Sequence, residues 1–216
     1  MSAGAREVYL IEEPMAAAIG SGIPVKEPNG NLVVDIGGGT TEIGVISLGG
    51  LVLSKSIRTA GDKIDKFIID YMKKNFNLLI GDRVSEEMKI AIGTAVQLDE
   101  ELNMNVKGRD QVTGLLTSVE ITSEHMREAI KEPLKEIGEA LKLVLEQTPP
   151  DLAGDIVENG IVLTGGGALI RGLDKYLSNI IKLPVYVAED PLLAVAKGTG
   201  KALEEIDLLQ QTVYEE

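Results

Sequence analysis

The chain has 216 residues, 44% of them hydrophobic but only 3% aromatic, so it can bury a substantial core built mainly from aliphatic side chains. Its 34 acidic against 21 basic side chains leave a formal net charge of −13, which argues against binding nucleic acid or an anionic membrane through the general field. There is no cysteine, which excludes a disulfide framework and a thiolate metal site; no apolar run approaches a bilayer span, the first residues lack signal-peptide architecture, and a soluble cytoplasmic protein is the default expectation.

In chain order, Glu7–Ile11 reads as a short apolar strand. Glu12-Glu13-Pro14 opens a helix, with proline in the first turn and acids at the positive end. Its alanine-rich body, Met15 to Ile19, lets another backbone pack closely, and Gly20-Ser-Gly22 stops it. Residues 26–31 form a turn-rich connector and the best candidate boundary. Three strands follow in quick order: Leu32–Ile36, Glu42–Leu48 and Leu51–Ile57, the last two joined by a Gly49-Gly50 hairpin signal. This antiparallel meander argues against a doubly wound nucleotide fold, whose first strand leads directly into a helix.

Gly61-Asp62 opens a helix with Ile64, Phe67, Ile68, Tyr71 and Met72 on its core face. Ser85 to Ile92 is a second helix, with Ser85 as its cap. Residues 98–117 lose helical period and read as irregular strands and loops. Thr122 or Ser123 caps a long helix to about Gln147, and a short helix follows from Asp151. Gly160–Thr164 is a buried strand running into Gly165-Gly166-Gly167, then a helix from Ala168 to about Ile181. Pro184–Val187 is a further strand, and Asp190-Pro191 opens a last helix with a small-residue face.

The stretch around Asp35 carries the chemistry. A continuous apolar run, the mark of a strand covered on both faces, ends in this one carboxylate, and Gly37, Gly38, Gly39 and Thr40 follow. Glycines let the backbone approach a ligand, and successive N–H groups can form an anion-binding nest. A carboxylate beside such a nest makes sense if the ligand is a phosphate carrying a divalent cation. A plain turn would need two glycines and no aspartate. The stretch is neither a dinucleotide fingerprint, since Glu42 stands where the third glycine belongs, nor a P-loop. A second glycine turn, Gly165–Gly167, also follows a buried strand, and two such turns are best explained as two walls of one nucleotide pocket, with a helix N-terminus beyond Gly167 adding its dipole. From spacing alone, Glu13 is a helix-start acid, Asp62 a cap, Glu86 and Lys89 a solvated i, i+3 pair, and His125 structural or solvated.

These residues resemble a known family. Asp35-Ile-Gly-Gly-Gly-Thr-Thr-Glu42 is similar to the second phosphate loop of the actin, sugar-kinase and heat-shock-chaperone ATPase superfamily, and Leu163-Thr-Gly-Gly-Gly-Ala-Leu-Ile-Arg-Gly172 to its adenosine motif. Ile11–Ile19 and Asp190–Gly198 resemble its two connecting helices. Tyr9-Leu-Ile-Glu-Glu-Pro14, Ile80-Gly-Asp-Arg83 and Gln147-Thr-Pro-Pro150 narrow the resemblance to the bacterial actin homologues of the MreB/Mbl family, over essentially the whole chain. It implies an α/β, actin-like ATPase (ribonuclease H-like) fold: a mixed sheet with an antiparallel three-strand meander and flanking helices, plus a smaller α+β subdomain. It also implies ATP and Mg²⁺ as ligands. Asp35 would help hold the Mg²⁺, the amides of Gly37, Gly38, Gly39 and Thr40 the β- and γ-phosphates, and Glu13 the attacking water. Asp62 would approach the ribose, Glu86 and Lys89 would line ribose and adenine, and Gly165, Gly166, Gly167 and Ala168 would lie against the nucleotide.

Members of this family begin with an Asp-x-Gly-Thr phosphate loop on a first domain, which this sequence does not show. The expectation is therefore a C-terminal portion: residues 1–30 as a remnant of the first domain, 31–187 as the second domain with its smaller subdomain at about 75–145, and 188–216 as a helix returning to the first. With one phosphate wall missing, weak nucleotide binding and negligible hydrolysis are expected. The implied function is an ATP-binding cytoskeletal protein that forms head-to-tail filaments, determines rod shape and works with cell-wall elongation and membrane-anchoring proteins, without direct membrane insertion by this portion. A small-molecule kinase, a chaperone-type ATPase of the same superfamily, or a regulatory binding module are the alternatives.

Overall fold

The computed structural model describes residue 4 and residues 7–204. Residues 205–216, the end of the expected C-terminal segment, lie outside the described residues.

A five-stranded mixed sheet organises the molecule. Its strands are β1 (Asn31–Ile36), β2 (Thr41–Ser47), β3 (Gly50–Ile57), β7 (Ile161–Thr164) and β8 (Val185–Val187), in the order β3-β2-β1-β7-β8. β1, β2 and β3 form the expected antiparallel meander, while β1, β7 and β8 run parallel. All six residues of β1 are buried, which accounts for its unbroken apolar run. Its side chains still alternate: Leu32, Val34 and Ile36 enter the main core, while Val33 faces the other side.

The main core is aliphatic, as the composition required. It draws on Ile64 and Ile68 of α2 (Gly61–Phe76), Met88 of α3 (Asp82–Ile92), Ile130 and Leu134 of α4 (Ser123–Gln147), Ile156 of α5 (Pro150–Asn159) and Leu173 of α6 (Leu173–Ile181). On the opposite face, α1 (Glu13–Gly20) lays Met15, Ala17 and Ala18 against Val33 and Ile46. Gly44 permits this: a Cβ there would stand 2.6 Å from Pro14 Cβ. α7 (Ala194–Glu204) crosses α1 at backbone contact, because a Cβ on Gly20 would sit 1.7 Å from Ala194 O and one on Gly198 1.8 Å from Ala16 O. The small faces read from both helices are thus used against each other.

A second sheet, in the order β4-β5-β6, is antiparallel and comprises β4 (Leu78–Leu79), β5 (Asn103–Asp110) and β6 (Leu116–Thr122). Within residues 98–117, read as irregular strands and loops, the strands are regular and paired: 103–110 and the start of β6 form a ladder, and the rest is turn and loop. The burial of these strands is slight, with Val106 alone buried in β5, so they show little apolar alternation.

Other local expectations are corrected. The stretch 7–11 forms no strand beyond a single bridge residue, Leu10. The β2–β3 turn is Leu48-Gly49, not Gly49-Gly50; both take positive φ (51° and 73°), as a tight hairpin matching the strand twist demands. α3 begins at Asp82, so Ser85 is not its cap: it is buried inside the helix and donates to Asp65 O at 2.8 Å. After Gly165 the chain makes a 3₁₀ turn, Gly166–Leu169, and α6 starts only at Leu173; the helix dipole expected just beyond Gly167 is displaced from that turn. Thr122 does cap α4, and His125 completes a capping box while its ring packs edge-on against Phe76.

Candidate functional site

The two glycine turns meet because β1 and β7 are adjacent and parallel, with Asp35 opposite Thr164. Each chain leaves the carboxyl end of its strand at the same edge of the sheet, where α/β proteins bind ligands. Gly165 and Gly167 bring the second turn onto the first: a Cβ on either would lie within 2.3 Å of an Ile36 atom, and Gly165 has φ +79°. The Gly165 N–H also donates to Pro191 O at 2.8 Å, tying in the 3₁₀ turn Pro191–Leu193.

A cleft of about 620 Å³ opens at this edge. Gly37, Gly38 and Asp35 form one wall, and Gly165, Gly166 and Gly167 the other. Glu13 projects from the start of α1, Asp62 and Asp65 from the first turns of α2, and Glu86 and Lys89 from α3. Ile170 and Leu192 supply an apolar end. Of the residues singled out from sequence, Gly39, Thr40 and Ala168 do not line the cleft; Ala168 is buried beneath its turn.

The first glycine loop is built by its own backbone. The Gly37 N–H donates to Thr40 O at 3.0 Å and closes the turn, while Gly37 O and Gly38 O accept from the N–H groups of Gly61 (3.1 Å) and Asp62 (2.8 Å). α2 therefore braces the loop from outside. Among the described residues the N–H groups of Gly38, Gly39 and Thr40 have no acceptor in the chain, so these three amides, rather than that of Gly37, are available to an anion. The brace is itself anchored: Thr41 Oγ1 donates to Thr59 O at 2.7 Å, and Thr59 Oγ1 and Lys63 Nζ donate to Glu136 Oε2 on α4 at 2.5 and 2.6 Å.

Five carboxylates (Glu13, Asp35, Asp62, Asp65 and Glu86) and one ammonium, that of Lys89, line the cleft. Asp35 is only 3% exposed. Burial pushes its carboxyl above the ordinary carboxylate value, the Thr164 hydroxyl bonded to it pulls the other way, and Glu42 adds to the rise. Glu13 is raised as well, by burial and then by Asp35 and Glu42. Lys89 does not pair with Glu86: it donates to Asp65 Oδ2 at 2.8 Å and to Gly61 O at 3.3 Å, with both side chains of the ion pair largely buried. The surface-pair reading of Glu86 and Lys89 is thereby replaced. Burial nonetheless raises the Asp65 carboxyl, against the pull of Lys89. Asp65 was missed from sequence; its signal is the Asp62–Asp65 spacing of three, which sets both on one face of α2 toward Glu86 and Lys89.

Such a field repels a bare phosphate. It suits a phosphate that arrives with a cation, held by free amides on one side and a carboxylate on the other. Among the described residues no group of three or more His, Cys, Asp or Glu could hold a metal by itself.

Comparison with known proteins bears on this site. Residues 1–211 match the family described as MreB/Mbl protein. The cell shape-determining protein MreB of Escherichia coli (strain K12) is 54% identical over 206 residues, spanning 95% of this chain and 59% of that protein. The cell shape-determining protein Mbl of Bacillus subtilis (strain 168) is 48% identical over 206 residues, 95% of this chain and 62% of that one. The crystal structure of MreB5 of Spiroplasma citri bound to ADP matches with a TM-score of 0.92 at 42% identity, over 95% of this chain and 62% of the other. A MamK double helical filament, at 22% identity and a TM-score of 0.74, shares the fold. The mixed sheet and its helices are therefore an actin-like α/β fold, and the chain spans 59% to 62% of the length of the curated relatives named here.

Proposed function

Because the chain belongs to the MreB/Mbl family, we propose that its cleft binds an adenine nucleotide with Mg²⁺, as part of an ATP-binding, filament-forming protein that determines rod shape in the cytoplasm. One observation carries the reading: Asp35 and both glycine turns border a single cleft. The S. citri relative supports the ligand class, since its structures are of MreB5 bound to ADP and to AMPPNP.

In this reading the phosphates sit against the free amide of Gly38, which lines the cleft, and draw in those of Gly39 and Thr40 next to it in the loop that Gly37 shapes. Mg²⁺, when bound, offsets the phosphate charge. Asp35 faces the cation side, with water between. Asp62, Glu86 and Lys89 take the ribose and the near edge of the base, and Gly165–Gly167 lie flat against the nucleotide, with Ala168 packed beneath. Glu13, raised by burial and by Asp35, is the residue that would orient the attacking water. Phosphoryl transfer rests on positioning and electrostatics, and the described cleft supplies one phosphate loop. We therefore expect weak binding and negligible turnover by this chain alone. Self-association into filaments and contact with cell-wall elongation and membrane-anchoring proteins belong to the same proposal. Among the described residues no helix is long and apolar enough to cross a membrane.

Titration calorimetry of the 216-residue chain with ADP tests the reading. Saturable binding that tightens on replacing EDTA with Mg²⁺ is expected; the absence of binding under both conditions would overturn it.

A further inference from the structure

We infer that Thr164 is a positioning residue for the cation side of the cleft: its hydroxyl holds Asp35 Oδ1, so that Oδ2 alone is presented to the ligand. The inference rests on the Mg²⁺-nucleotide reading and adds a residue to it. Thr164 is fully buried and does not border the cleft, so it acts only through Asp35.

The geometry is specific. Thr164 stands opposite Asp35 across the parallel β1–β7 pair, which puts both side chains on the same face of the sheet. Thr164 Oγ1 donates to Asp35 Oδ1 at 2.6 Å, and its other acceptor, Val34 O, is much farther at 3.5 Å. A short hydrogen bond to a charged oxygen is among the stronger ones. Among the described residues no buried side-chain oxygen lacks a partner. Thr164 accounts for Oδ1 alone, so Oδ2 is the oxygen that opens into the cleft.

A fixed oxygen matters here. The last torsion of an aspartate is broad, and a lone carboxylate beside a hydrated cation would otherwise swing. A buried strand position would ordinarily take valine or isoleucine. Threonine keeps their branched shape and adds the donor that locks this torsion. Outer partners that orient a metal-side ligand typically contribute about 10- to 100-fold to metal affinity.

The test is ADP binding by wild type, Thr164→Val and Thr164→Ser in Mg²⁺ and in EDTA, with thermal melts in parallel. Thr164→Val is expected to weaken Mg²⁺-dependent binding about tenfold and to change binding in EDTA less than about twofold. Thr164→Ser should restore most of the loss. Wild-type-like binding by Thr164→Val, or equal losses with and without Mg²⁺, overturns the inference while leaving the nucleotide reading intact. Failure of wild type to bind ADP in either condition removes the reading itself and the inference with it. Should Thr164→Val not fold, Thr164→Ala is measured in wild-type and Asp35→Asn backgrounds. Its Mg²⁺-dependent effect should vanish in the second, and a loss of equal size in both overturns the inference.

Discussion

Asp35 shows what a buried carboxylate costs the folded chain. Its folded carboxyl is raised above the ordinary 3.8, mainly by burial. The folded chain therefore holds that proton more tightly than the unfolded one. The resulting stability is full below the unfolded value and is lost as pH rises through the folded value. Asp35→Asn should accordingly raise the Tm of the ligand-free chain at pH 7.5 by about 2–4 °C, with a smaller gain near pH 4, while weakening Mg²⁺-dependent ADP binding; paired melts and titrations check both signs. Glycine separates by position in the same way. Gly165→Ala places a Cβ 2.3 Å from Ile36 O at φ +79°, and should cost roughly 3 kcal/mol by urea denaturation. Gly39→Ala meets nothing within 4 Å and should stay within about 0.5 kcal/mol. Sequence marked both glycines alike, because it shows where a backbone is free to bend and not what it touches. Asp65 escaped for a related reason: its partner Lys89 lies on a different helix, and only the folded pair reveals the contact.

At the scale of elements, legibility follows burial. β1 is covered on both faces and announces itself as an apolar run; β5 and β6 are largely exposed and leave almost no pattern. Ser85 has the look of a cap for α3, yet it lies within that helix and its hydroxyl donates across to Asp65 O on α2. The 3₁₀ turn after Gly165 is set by contacts with Ile36 and Pro191, which no local propensity encodes. The α1–α7 crossing was legible as two small-residue faces, though not as a pair. Gly198→Ala should force the helices apart, since its Cβ would meet Ala16 O at 1.8 Å. We expect a loss of about 2–3 kcal/mol. Hydrogen exchange should show amide protection falling in α1 and α7, with β1 and β7 still protected.

For the whole molecule, the decisive fact is a neighbour relation. Asp35 and Thr164 are far apart in sequence and adjacent in the sheet, and the parallel pairing that joins them cannot be read from any local stretch. What sequence offered was the recurrence of one device, a glycine turn at the end of a buried strand, and the inference that two such turns serve one ligand. The cleft gives that inference a place, and its five carboxylates favour the proposed ligand that brings a cation with it. Hydrogen exchange of the chain with and without Mg²⁺ and ADP, read residue by residue, tests this most directly. Protection should rise together at residues 38–40 and 165–168, and the two increases should saturate at the same ADP concentration. Saturable binding that protects only one of these turns, or protects neither, would contradict the account.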